Sequence, residues 1–283
     1  LNFPGADGTE RSGTLRLPPG SGPFPCVVVL GGRMAGRVDV GAALATAGWA
    51  TYSYDPRGVG ASKGAFARGA VSSLAADAVA AAEALAKRPE IGGQRLVLLG
   101  IGEGGQAAAL ASAAGQNQGG EAYVGVILAA SASVGPAFPA LAELRIATGL
   151  APFYGWDPAG LAAYRRASVE RWQDWLFKGE DQVTLLRRRI AVRALRELAD
   201  ADPSAALAQA KGPVLIVHGA QDRWTPVAGA EDLAARLQGA GVPVTVQVFP
   251  DLGEDLGGSE GAGLFSPPVE QAIVAWLEQI KAP

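Results

Sequence analysis

Histidine, cysteine and methionine occur once each in the 283 residues, and each scarcity removes a class of chemistry. A lone cysteine, Cys26, forms no internal disulfide and builds no zinc cluster of thiolates. A lone histidine, His218, excludes any mechanism that needs two imidazoles, the usual general bases near neutral pH. No apolar run of roughly 18 residues free of charges and turn-formers is present, so no membrane-spanning helix is expected. An excess of positive charge is lacking too. Lys+Arg number 24 against 27 Asp+Glu, a formal net charge of −3, which leaves no basic footprint for a phosphate backbone and makes nucleic acid an unexpected partner. The chain begins at Leu1 rather than at methionine, as after removal of a leader or tag, so a cytoplasmic and an exported location both stay open, as does the oligomeric state. Few Met, Cys and His residues hint at a heat-adapted source.

What is present fits a soluble globular protein with a sizeable core: 49% of residues are hydrophobic and 18% charged. Short β-branched runs alternate with Ala/Leu-rich segments of helical period, the pattern of a mostly parallel sheet with helices on both faces. Strands are expected over 26–30, 50–54, 95–100, 123–128, 213–218 and 244–249, with an antiparallel start around 13–17. Helices are expected over 40–47, 71–87, 105–114, 228–237 and 269–280, where apolar residues recur every three to four positions.

From 133 to 211 the rhythm breaks. This stretch carries Phe138, Phe153, Tyr154, Trp156, Tyr164, Trp172, Trp175 and Phe177, the basic run Arg187-Arg188-Arg189, and no convincing strand. It is expected to be a helical insertion over the carboxyl ends of the sheet, where open α/β folds bind ligands. As a cap it would offer Phe138, Trp156, Trp172 and Trp175 to a pocket; alternatively these aromatics fill a small helical core and the arginines form a solvated face.

The segment Leu96-Val97-Leu98-Leu99-Gly100-Ile101-Gly102-Glu103-Gly104-Gly105 is an apolar strand followed at once by a Gly-rich turn and an Ala-rich helix. A nucleophile elbow, Gly-x-Ser-x-Gly, has that setting, and here Gly102 stands in the nucleophile slot. The chain thereby resembles an α/β-hydrolase of the bacterial capped branch with a Ser-x-Gly-Gly elbow, which holds esterases, thioesterases and peptidase-like enzymes. The likeness extends over nearly the whole chain. It includes Phe3 to Thr9 with Gly13-Thr14-Leu15, Leu30-Gly31-Gly32-Arg33, and Tyr54-Asp55-Pro56-Arg57-Gly58-Val59-Gly60-Ala61-Ser62. Val217-His218-Gly219-Ala220-Gln221-Asp222 resembles the acid-bearing turn, and Phe249-Pro250-Asp251-Leu252-Gly253-Glu254-Asp255-Leu256 the segment that presents the base.

The resemblance implies one α/β-hydrolase core, residues 1–132 and 212–283, and a helical cap, residues 133–211. It places the serine, acid and histidine of the triad on Gly102, Asp222 and Glu254, so only the acid is retained. It also implies backbone oxyanion donors at Arg33 and Glu103, and a pocket for an ester-like or acyl small molecule lined by Gly32, Met34, Trp224 and the cap aromatics. Glycine has no side chain with which to attack a carbonyl, and an unperturbed glutamate does not shuttle protons near neutral pH. The acyl-enzyme route is closed at these positions. The expected identity is a protein of ester/thioester hydrolase ancestry that lacks the Ser and His, whether by descent or by deliberate replacement, and keeps its pocket.

An alternative uses Glu254 with Asp222: two carboxylates in one partly buried space push at least one pKa upward, enough for acid/base work such as isomerisation, cyclisation, dehydration or water attack. Against it, the glycines at 253, 257, 258, 261 and 263 suit a solvated loop. Other residues offer no replacement. His218 reads as a satisfied core histidine, Ser62 as a loop tie, Cys26 as a small buried residue and the Glu103 side chain as a helix-start carboxylate. Ser131 and Ser133 follow a strand with no base identifiable beside them. No metal, nucleotide or flavin motif appears, since the glycines at 100–105 lack the ribose-binding acid of a dinucleotide loop, and no cofactor is expected.

Overall fold

The apolar runs of the sequence become strands because both faces of the sheet are covered, so residues pointing either way must be apolar. A computed structural model describes residues 1–31, 40–65, 71–116, 123–131, 155–164, 166, 182–185, 188–191, 197, 200–222, 225–257 and 265–281. Its strands are β1 (Asn2–Pro4), β2 (Glu10–Arg16), β3 (Phe24–Leu30), β4 (Ala50–Tyr54), β5 (Ile91–Ile101), β6 (Tyr123–Ala129), β7 (Gln182–Leu185), β8 (Arg188–Ala191), β9 (Val214–Gly219) and β10 (Val244–Phe249). Eight of them form one sheet in the order β1-β2-β4-β3-β5-β6-β9-β10. β2 pairs antiparallel with both β1 and β4, and the remaining neighbours, from β4 to β10, pair parallel.

Period-two alternation divides the core. Cys26, Val28, Leu30, Leu98, Leu128 and Ile216 face one side, where α2 (Val71–Ala86), α3 (Glu103–Gln116), α4 (Pro203–Ala210) and α5 (Val227–Gly239) cover them. Val27, Val29, Val97, Leu99, Ile127 and Val217 face the other, under α1 (Gly41–Thr46) and α6 (Pro267–Lys281). Each fully buried Val or Leu contributes about 1.5–3 kcal/mol relative to exposure. No helix among the described residues is long and apolar enough to cross a membrane.

Two expectations for 133–211 need correction. The first is the lack of a strand: β7 and β8 pair antiparallel, Val183 opposite Ile190, in a separate two-stranded sheet. The second concerns α4, which falls inside the stretch expected to be the insertion. Ala206 and Leu207 share a buried cluster with Leu98 and Ala108, so this helix packs in the main core. Its boundaries follow ordinary capping: Asp202 accepts from the Ser204 and Ala205 amides at 3.0 and 3.3 Å, Pro203 opens the first turn, and Lys211 closes it at φ 58°.

A buried ion cluster ties the amino terminus to the α2 face. Arg11 on β2 is wholly buried and grips Asp77 of α2, Nε to Oδ2 at 2.9 Å, while Arg57 reaches the same carboxylate at 2.8 and 2.9 Å. Ser62 fastens the same loop, accepting from the Ser12 amide at 2.9 Å and donating to the Asp55 carbonyl at 2.6 Å. At the rim Asp7 accepts from the Thr9 amide and from Arg11, which hold its carboxyl well below its ordinary 3.8. A lowered carboxyl pKa contributes stability that is fully present above 3.8 and lost as pH falls below it. Asp77→Ala should remove about 3 kcal/mol in urea unfolding by taking from Arg11 and Arg57 the buried carboxylate they share. Asp7→Asn should cost less at neutral pH and flatten the acid limb of the stability curve; an acid limb identical to that of the unaltered chain would contradict the assignment.

Candidate active site

Between β5 and α3 lies a single residue, Gly102, at φ +55°. That left-handed conformation turns the chain sharply from strand to helix. Its neighbours are glycines by contact. A Cβ at Gly100 would overlap the Gly104 carbonyl, one at Gly104 the Leu30 carbonyl, and one at Gly105 the Ser131 hydroxyl. Gly102 is different: among the described residues nothing lies within 4 Å of the Cβ it would carry. The bend thus demands small flanks and leaves its apex open.

Backbone hydrogen bonds string the carboxyl ends of four adjacent strands into one rim. Gly102 N–H donates to the Ala129 carbonyl at 3.0 Å, Ala130 N–H to Val217 at 3.0 Å, Ala220 N–H to Phe249 at 2.9 Å and Gln221 N–H to Leu252 at 2.9 Å. The bend bearing Gly102, the turn bearing Asp222 and the segment leading to Glu254 therefore meet at one edge of the sheet. Asp222 is 6% exposed; its Oδ1 accepts from the Thr225 amide at 2.8 Å, and its Oδ2 stands 3.5 Å from Nε2 of His218. Glu254, by contrast, is exposed, on the loop after β10.

Ser131 closes the rim beside the bend. Ala130 adopts φ +46°, a strained value for a residue with a Cβ, and it lies in the same buried cluster as Ala129. Two successive residues thus face one side of the sheet, and Ser131 turns to the other, its hydroxyl against Gly105 in the first turn of α3. Ser131 is 2% exposed, which makes it a packing partner of the bend. Burial pushes the Cys26 thiol up to about 12, so no thiolate forms there at neutral pH. Glu103 is the first residue of α3, a carboxylate at the positive end of the helix.

Trp156 is half-buried and packs on Tyr164 with ring centroids 4.5 Å apart. Gly32, Arg33, Met34, Ser133, Phe138, Trp172, Trp175 and Trp224 lie outside the described residues. Among the described residues no group of three His, Cys, Asp or Glu is placed to hold a metal ion.

Residues 27–253 match the family described as serine aminopeptidase, S33. The chain belongs to this family of α/β hydrolases. The match spans the bend at Gly102 and the turn at Asp222 and stops one residue before Glu254. Among solved structures, the chain is similar to Est1E from Butyrivibrio proteoclasticus with ferulic acid bound, at a TM-score of 0.68 and 18% identity over 99% of each chain. It is also similar to an esterase from Pyrococcus furiosus, TM-score 0.65 and 14% identity over 100% of this chain and 90% of that one. The esterase EaEST from Exiguobacterium antarcticum gives a TM-score of 0.58 and 18% identity over 98% of this chain and 99% of that one. At such identities the likeness is one of fold. No curated protein matches the chain.

Missed by sequence reasoning were the strained Ala130, the hydrogen bond between His218 and Thr225, and the core helix α4. Only the last had a legible signal, Asp202-Pro203 as cap and first helical residue. If the glycines follow contact in the way described, Gly104→Ala should cost about 3 kcal/mol or more, because the atoms its Cβ would meet, the Leu30 carbonyl and the Gly31 Cα, are rigid backbone. Gly102→Ala should cost only about 1 kcal/mol, the strain of a left-handed residue with a Cβ. Urea titration of both variants measures this; equal losses would contradict the open apex.

Proposed function

We propose that this α/β hydrolase binds an ester-like or acyl small molecule at the carboxyl edge of its sheet and lacks the covalent serine route, with Gly102, Asp222 and Glu254 standing in the slots of nucleophile, acid and base. The observation that carries this is the bend itself: Gly102 alone makes the left-handed turn, its neighbours are forced to glycine by contact, and the space a side chain would occupy is open. A serine there would meet none of the described residues, as suits an attacking hydroxyl. The hydrogen that glycine carries in its place has no lone pair with which to attack a substrate carbonyl.

In this reading the amides of Glu103 and Arg33 serve as oxyanion donors, since such donors are backbone and survive the loss of side chains. The insertion within 133–211 acts as the cap, with Phe138, Trp156, Trp172 and Trp175 offered to the ligand beside Gly32, Met34 and Trp224. Burial of Asp222 and its hydrogen bond from Thr225 support its assignment to the acid slot. A proton-sharing pair with Glu254 finds less support. Such a pair needs both carboxylates withdrawn from water, and Glu254 is exposed. What is left is binding, plus the residual rate enhancement of about 10³–10⁴ over water that binding and oxyanion donors give a triad stripped of its side chains.

Rapid mixing of the chain with p-nitrophenyl acetate should give no acyl-enzyme burst. Gly102→Ser combined with Glu254→His should restore ester hydrolysis, while each single change stays at background. A burst from the unaltered chain, or a folded double variant that is inert, would overturn the reading.

A further inference from the structure

His218 is the only histidine of the chain, and packing alone does not explain it. It lies at the carboxyl end of β9, wholly buried, in register with Val248 and four residues before Asp222. Its Nε2 is 2.6 Å from the Thr225 carbonyl oxygen. A carbonyl only accepts, so Nε2 carries the proton and donates it. The same nitrogen stands 3.5 Å from Oδ2 of Asp222, while Oδ1 of that carboxylate accepts the Thr225 amide at 2.8 Å. The three residues close a ring: His218 holds the carbonyl of Thr225, the amide of Thr225 holds Asp222, and the imidazole N–H edge faces the other carboxylate oxygen. Nδ1, also buried, has no hydrogen-bond partner among the described residues. With one nitrogen committed to Thr225, the tautomer that leaves a lone pair on Nδ1 avoids a second buried N–H without an acceptor.

A leucine or isoleucine would fill this end of β9 as Ile216 fills its middle, and would leave no donor for the Thr225 carbonyl. We propose that His218 is the positioning residue of the acid turn: by holding Thr225 through Nε2–H and standing against the carboxylate, it sets the rotamer of Asp222. This rests on the assignment of Asp222 to the acid slot above. It also deepens it. An acid oriented from within its own turn keeps its place whatever residue occupies position 254, so the exchange of a base for Glu254 need not disturb it.

One histidine makes the test direct. Nitrogen-15 labelling of histidine should give a single imidazole in mildly alkaline buffer, with pyrrole-like Nε2 and pyridine-like Nδ1. The opposite tautomer, or a ring averaging between both, would overturn the proposal. The Thr225 amide reports on Asp222. In His218→Leu its hydrogen exchange should quicken about tenfold or more, as expected when a charge-assisted hydrogen bond is loosened. In His218→Gln, whose side-chain amide can donate to the same carbonyl, it should stay slow. Exchange that rises evenly along β9, or does not change at Thr225, would make His218 a packing residue and end the proposal. Should His218→Leu not fold, the tautomer and the His218→Gln variant decide the matter. In the Gly102→Ser, Glu254→His background, His218→Gln should keep most of kcat. None of the first measurements needs turnover, so an inert double variant with the expected tautomer counts against the proposed function and not against this role.

Discussion

The first turn of α3 presses against the backbone of β3 and the loop after β6 so closely that three of its surrounding positions admit no side chain. Gly104 rests on the Leu30 carbonyl, Gly105 on Ser131, and Gly100 under the turn it leads into. Everything at the carboxyl edge follows from this contact. It makes the strand-to-helix bend tight enough to require the left-handed Gly102, aims the start of α3 at the edge, and sets the end of β3 beside it through the pairing of Leu30 with Gly100. The tension is visible in the neighbouring strand too, where Ala130 accepts a left-handed conformation so that its successor can pack against the helix.

A scaffold of this kind separates shape from chemistry. The bend at Gly102 and the rim of backbone hydrogen bonds rest on glycines and main-chain groups rather than on the side chains around them. The acid turn carries its own support: its carboxylate is buried and held by Thr225, and its histidine neighbour lies on a strand whose six residues are all buried.

Much of the fold was legible because apolar patterning and turn chemistry are local. β4 and β10 lie where alternating β-branched runs place them, and α2 and α5 begin and end within a few residues of their periodic segments. The strand-to-helix bend at Gly102 was legible as well, from an apolar run that passes at once into glycines. The hairpin of β7 and β8 was not, because four-residue strands split by arginines carry too few positions to show a period. Nor was the membership of α4, since an Ala-rich helix packs equally well on any apolar face and only the neighbours decide which.

By itself the sequence determined which atoms are available: one imidazole, one buried thiol, no hydroxyl at the bend, and glycines where the main chain comes close. The tertiary structure decided what those atoms face. Whether His218 merely fills space or grips Thr225, and whether a given glycine is forced or free, depend on groups distant in the chain. Burial and hydrogen-bond geometry act through space within a few ångströms, and residues so placed carry no mark of it in their order along the chain.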